Sequence, residues 1–155
     1  MADRFRELER PQSGRQKDIV LMATVSSFES LARPGHSDLR QFAELFEPLY
    51  LASSEEARRQ AVAALSRCRA IPEPTARFLA RQPIGVAAIL ITGSRVLSDE
   101  TLLAILADAS PDHARAVALR DDLSPRLVEA LVGHHRSARS RRPAEAARNA
   151  EAAEE

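Results

Sequence analysis

Ile71, Leu97 and Leu123 recur 26 residues apart, and Pro72, Ser98 and Ser124 follow them at positions that read as helix starts. Offsets of five, eight and nine residues from these anchors select Ala76, Leu79 and Ala80, then Leu102, Ile105 and Leu106, then Val128, Leu131 and Val132. Residues at those offsets share one face of an α-helix, so each register predicts a helix with an apolar stripe. Shorter segments, Pro83 to Thr92 and Pro111 to Arg120, lie between them. Each unit is then a helix pair too small to bury its own apolar face, and such units become stable by stacking. The expected fold is all-α: about eight helices in stacked pairs, a right-handed HEAT-like, armadillo-type superhelix.

The punctuation agrees with helices. Ser53 with Glu56 spells a capping box, and Gln82-Pro83, Ser110-Pro111 and Ser124-Pro125 place proline where a first turn needs no N–H. Ser98-Asp99-Glu100 sets a cap and two carboxylates at the positive end of a helix dipole. Ser37-Asp38 opens a helix whose apolar positions are Leu39, Phe42, Phe46 and Leu49, with Pro48 expected to bend or end it. Residues 1–15 carry seven charges, with Phe5 and Leu8 as the large apolar side chains after the initiator, and are expected to form a mobile arm. Residues 16–136 form the repeat domain, and residues 137–155 read as a charged tail whose Ala, Glu and Arg content favours helix.

Ile71-Pro-Glu-Pro through Ala87, Val96-Leu-Ser-Asp-Glu-Thr-Leu-Leu-Ala-Ile, and His113-Ala-Arg-Ala-Val-Ala-Leu-Arg120 followed by Leu123-Ser124 carry a likeness. Through them the stretch from Leu39 to Val132 resembles a bacterial family of domains of unknown function built from HEAT-like helical repeats. The resemblance implies an all-helical superhelix and brings no assigned reaction or catalytic residue. Leucine-rich-repeat-variant proteins are similar in period, but the cysteine cluster of their iron–sulfur members is missing, since Cys68 stands alone.

Lys and Arg number 22 against 22 Asp and Glu, which argues against a domain built mainly to neutralise nucleic-acid phosphates. One cysteine makes no intramolecular disulfide, and the charged start lacks the apolar core of a signal peptide, so a cytoplasmic protein is expected. The apolar run from Ile84 to Ile91 is far short of the roughly 20 residues that span a bilayer, so no membrane span is expected.

Chemistry-bearing residues are sparse. Cys68 lies between Arg67 and Arg69, which would activate a thiol, yet Ala61, Ala64, Leu65 and Cys68 follow the spacing of a core stripe. His36 and His113 are isolated, and His134 and His135 point about 100° apart on a helix, so no metal site is expected. Thr92-Gly93-Ser94-Arg95 lacks the flanks of a nucleophile elbow, no phosphate-cradling glycine motif occurs, and Lys17 is the sole lysine. The expectation is a protein that is not an enzyme and carries no cofactor.

Binding residues are more suggestive. His113, Ala116 and Arg120 fall at i, i+3 and i+7, opposite an equivalent stripe of Gly85, Ala88 and Thr92 one repeat earlier. This reads as a cationic ridge facing a small-residue trough that would receive an acidic group of a partner. The alternative is tight helix packing, with His113 and Arg120 hydrogen-bonded to loop carbonyls. In the first helix Leu21, Val25, Phe28 and Leu31 point inward, while Ile19, Val20 and Met22 leave its opening apolar nearly all round. Either a second copy covers them, giving a homodimer, or the N-terminal arm folds back through Phe5 and Leu8. The leading expectation is a noncatalytic protein-interaction or regulatory adaptor with an unidentified protein partner. The rival is a nucleic-acid-binding repeat using Arg115, Arg120, Arg126 and the run from His135 to Arg142, whose field Glu145, Glu151, Glu154 and Glu155 partly cancel.

Overall fold

The structure, a computed structural model, describes residues 2–108 and 110–153, with side chains over residues 14–108 and 110–141 and at 148, 150 and 152. Among the described residues it is all-helical: α1 (Ala2–Glu29), α2 (His36–Ala52), α3 (Glu55–Ser66), α4 (Glu73–Ala80), α5 (Ile84–Gly93), α6 (Asp99–Asp108), α7 (Pro111–Ala118) and α8 (Pro125–Ala153). The five helices from α3 to α7 have 8 to 12 residues, too few to persist alone in water, so they exist by packing.

Two rows result. Helices α1, α3, α5 and α7 each pack on the next of that set, α2, α4, α6 and α8 do likewise, and α1·α2, α4·α5, α6·α7 and α7·α8 contacts join the rows. At the α1 end the core is an aromatic chain: Phe28 on Phe42 (ring centroids 4.2 Å), Phe42 on Phe46 (5.3 Å), Phe46 on Tyr50 (5.7 Å) and Tyr50 edge-on to Phe78 (5.4 Å). Rings used this way stitch α1 to α2 and α4 and are withheld from stacking on a base or cofactor. Between α3 and α5 the approach is close enough that a Cβ on Gly93 would lie 3.2 Å from Ser66 Cβ.

The 26-residue register is sound in its first two turns and broken in its third. Ala76, Leu79, Ala80, Leu102, Ile105 and Leu106 are all buried, whereas Val128 and Val132 are each 46% exposed and Leu131 is half-buried. Helices α4 and α6 have a neighbour on either side in their row; α8 has α6 on one side and no further helix beyond it among the described residues. Its inward face is centred instead on Leu127, fully buried at the position equivalent to buried Thr75 and Thr101.

Several starts are as expected. Ser98, Ser110 and Ser124 accept from the backbone N–H of Thr101 (3.2 Å), His113 (3.3 Å) and Leu127 (3.3 Å). Others differ. Helix α2 begins a residue early, with the Asp38 carboxylate accepting the Gly35 N–H at 2.9 Å, and it continues past Pro48 to Ala52. Ser53 does not cap α3: it ends α2, its hydroxyl donating to Leu49 O at 2.7 Å, and Ser54 takes the N-cap, accepting from Ala57 N–H at 3.3 Å.

The segment read as an arm is helical from Ala2 onward, and α8 likewise runs through the segment read as a tail. Since α1 is unbroken, residues 2–13 do not double back over Ile19 and Val20; the side chains of Phe5 and Leu8 lie outside the described residues. Leu31 is 42% exposed because α1 ends at Glu29, which takes it off the inward stripe of Leu21, Val25 and Phe28.

Candidate functional site

Arg120 is unusual among the described residues, an arginine whose side chain is only 3% exposed. Its Nη1 donates to Ile91 O (2.6 Å) and Ser94 O (2.7 Å), and its Nη2 to the Asp122 carboxylate (3.0 Å). Helix α5 ends at Gly93, so Ile91 and Ser94 offer carbonyls that no further turn of helix can satisfy, and a cation is the natural partner of that negative end. Nε has no partner among the described residues.

The other end of α7 holds the loop that leads into α5. His113 Nε2 lies 2.9 Å from Gln82 O and its Nδ1 2.6 Å from Ser110 Oγ. A carbonyl only accepts, so Nε2 carries the hydrogen. Helix α7 is thus clamped alongside α5 at both ends. Arg58 of α3 repeats the device on α2, donating from Nε to Tyr50 O (2.8 Å) and from Nη2 to Leu51 O (2.7 Å) while its guanidinium carbon sits 5.0 Å from the Tyr50 ring centroid.

The expected cationic ridge is therefore corrected. The structure brings His113 and Arg120 against α5, but α7 stops at Ala118, so extrapolating a helix to Arg120 misplaces its side chain, which turns inward. Gly85 and Thr92 stay exposed, Ala88 is half-buried, and a Cβ on Gly85 would meet nothing nearer than Arg59 Nη2 at 3.9 Å. An acidic group of a partner has no access to Arg120, and a continuous basic face through Arg115, Arg120 and Arg126 does not exist.

At the far end of the stack Ile19 is 68% and Val20 48% exposed, with Met22 half-buried. Ile19 and Met22 border an open cleft with Asp18, Ser54, Glu56 and Gln60. Asp18 accepts from the Ser54 N–H (2.8 Å) and hydroxyl (2.6 Å), tying α1 to the start of α3 and replacing the Glu56 arm of the expected capping box. These Ser54 hydrogen bonds, the hydroxyl foremost, hold the Asp18 carboxyl below its ordinary value. A depressed carboxylate contributes stability that is present above its unfolded value and lost as pH falls through the folded one. Asp18→Ala is expected to melt at a lower temperature than the wild type at pH 7, with the gap closing below about pH 4; thermal melts across that range check it, and a gap independent of pH would contradict it.

No protein-family model, curated protein or solved structure matches this chain. What it can do must be read from its own surface. Cys68 is half-buried with Sγ 3.6 Å from Ala64 O, and burial, then the Glu29 carboxylate, push its thiol up against the pull of Arg67. A raised thiol is less ionised than a free one and correspondingly less reactive. Among the described residues no cluster of His, Cys, Asp and Glu could hold a metal ion, and no helix is long and apolar enough to cross a membrane.

Sequence reasoning missed the outer face of α8. Val128 and Val132 hold positions that are buried in both earlier repeats, and here they face solvent, with His135, Arg136 and Arg139 exposed beyond them. At 100° per residue these five side chains fall within one arc of roughly 100°. The available signal was that the register stops: the last unit of any stack keeps an uncovered stacking face unless its outer side turns polar.

Proposed function

We propose that this protein is a noncatalytic protein-interaction adaptor, a HEAT-like superhelical stack whose open end, the outer face of α8, receives another protein chain. The observation that carries this reading is the exposure of Val128 and Val132, each 46%, at register positions where Leu102 and Leu106 are at most 6% exposed. A face built to take a helix and left without one is an interaction site by construction. The likeness of Leu39 to Val132 to HEAT-like repeats, and the two rows of helices, support the superhelical arrangement.

The nucleic-acid reading retains Arg126, Arg136, Arg139 and Arg141, all exposed on α8, but loses Arg120 to the interior. A benzophenone amino acid in place of Val132, irradiated in native lysate, separates the two. The adaptor reading expects a protein adduct that is absent when the same group replaces Arg40 of α2; an adduct with nucleic acid alone, or none, overturns it.

A further inference from the structure

We infer that the cleft where α1 and α3 end takes a free α-amino acid with an apolar side chain, such as leucine, held by both of its charged groups. The outer face of α8 has no part in this site, which stands or falls independently of the adaptor reading.

The cleft follows from how the two helices are laid. Asp18 of α1 holds Ser54 at the N-cap of α3, and the helices pack side by side from there. From Asp18 to Glu29, the last residue of α1, is eleven residues, and from Ser54 to Leu65, next to the end of α3, is eleven as well. The two helices therefore end level. Their chains turn away at the same height, α1 through Leu31 and Pro34 and α3 through Arg67 and Arg69, and enclose a cleft of about 380 Å³ between the loops. That volume lies in the range of roughly 300–1,000 Å³ usual for small-molecule sites.

The lining has three parts, and each matches one part of an amino acid. Phe28, Leu31 and Pro34 make an apolar wall, on which Leu31 keeps 42% of its surface in solvent. Glu29 adds a carboxylate beside the carbonyl end of α1, a place that favours a cation. Arg67 and Arg69 add two exposed guanidiniums, whose planar forks suit a carboxylate. These opposite charges share the cleft yet do not meet, for none of the three makes an ion pair among the described residues. Glu29 and Arg67 nonetheless act on one sulfur. After burial, the Glu29 carboxylate pushes the Cys68 thiol up, and Arg67 pulls against it. A simple anion entering here meets Glu29, and a simple cation meets the arginines. A zwitterion answers both, and the apolar wall selects its side chain.

Calorimetric titration of the full chain with leucine, methionine and phenylalanine tests this. At least one is expected to bind with a Kd of about 0.1–1 mM. Taking leucine as the example, N-acetyl-leucine, which lacks the ammonium, leucinamide, which lacks the carboxylate, and glycine, which lacks the side chain, should each bind at least tenfold more weakly. Glu29→Gln is expected to weaken leucine about tenfold without weakening N-acetyl-leucine further. Arg67→Ala/Arg69→Ala should weaken leucine similarly and leave leucinamide as it was. A merely structural role for these residues would not sort the ligands in this way, and circular dichroism checks that each variant is folded. Cys68, the sole cysteine, lines the same cleft, so saturating leucine should slow its alkylation by N-ethylmaleimide. Absence of binding by all three amino acids, N-acetyl-leucine or leucinamide binding as tightly as leucine, variants that bind like the wild type, or an alkylation rate indifferent to the amino acid each overturns the proposal.

Discussion

Arg120→Ala is expected to remove about 3–5 kcal/mol of stability, a large share of the roughly 5–15 kcal/mol that holds a domain of this size together. The truncation leaves the carbonyls of Ile91 and Ser94 without their donor in a buried setting, at about 1–3 kcal/mol each, while the exposed Asp122 carboxylate returns to water at little cost. Arg120→Lys recovers only part, because an ammonium is a point charge and cannot span two carbonyls and a carboxylate as the planar fork does. Arg120→Glu turns a carboxylate toward carbonyl oxygens and is expected not to fold. Urea and thermal unfolding followed by circular dichroism decide the matter, and wild-type stability in Arg120→Glu would refute the clamp between α7 and α5. If Arg120→Glu does not fold, any binding defect of that variant reports unfolding and not a lost contact.

Neighbouring residues in α8 offer the second large contrast. Leu127 is fully buried and Val128 is 46% exposed, so Leu127→Asp is expected to unfold the protein while Val128→Asp shifts monomer stability by no more than about 0.5 kcal/mol. Leu102→Asp, at a position 1% exposed, should behave like Leu127→Asp, and Leu131→Asp should fall between the extremes because its site is half-buried. Thermal melts of each variant against the wild type check this. Were Val128→Asp to unfold, the outer face of α8 would be an internal surface and the reading of an open stack end would fail.

How far the chain could be read without its tertiary structure follows from the range over which each cause acts. Caps and prolines at Ser98, Ser110-Pro111 and Ser124-Pro125 act within one helical turn, so the text locates those starts by itself. The stripe through Leu102, Ile105 and Leu106 is likewise local, since residues on one face of a helix must be covered together or not at all. That Ser54 caps α3 in place of Ser53 was not legible, because the deciding acceptor, Asp18, is 36 residues away.

The candidate site divides in the same way. His113 and Arg120 stand out in the text, but helix ends and loops all offer free carbonyls, and which donor reaches which of them depends on the helices packed beside it. The structure spends Arg120 on the end of α5 and leaves Val128 and Val132 in solvent, although the register treats all three repeats alike. Local chemistry in the text makes this chain helical, marks where most of its helices start, and shows which faces want cover. Which of those faces receive it follows from packing, because burial belongs to a pair of surfaces and the last helix of a row has a neighbour on one side alone.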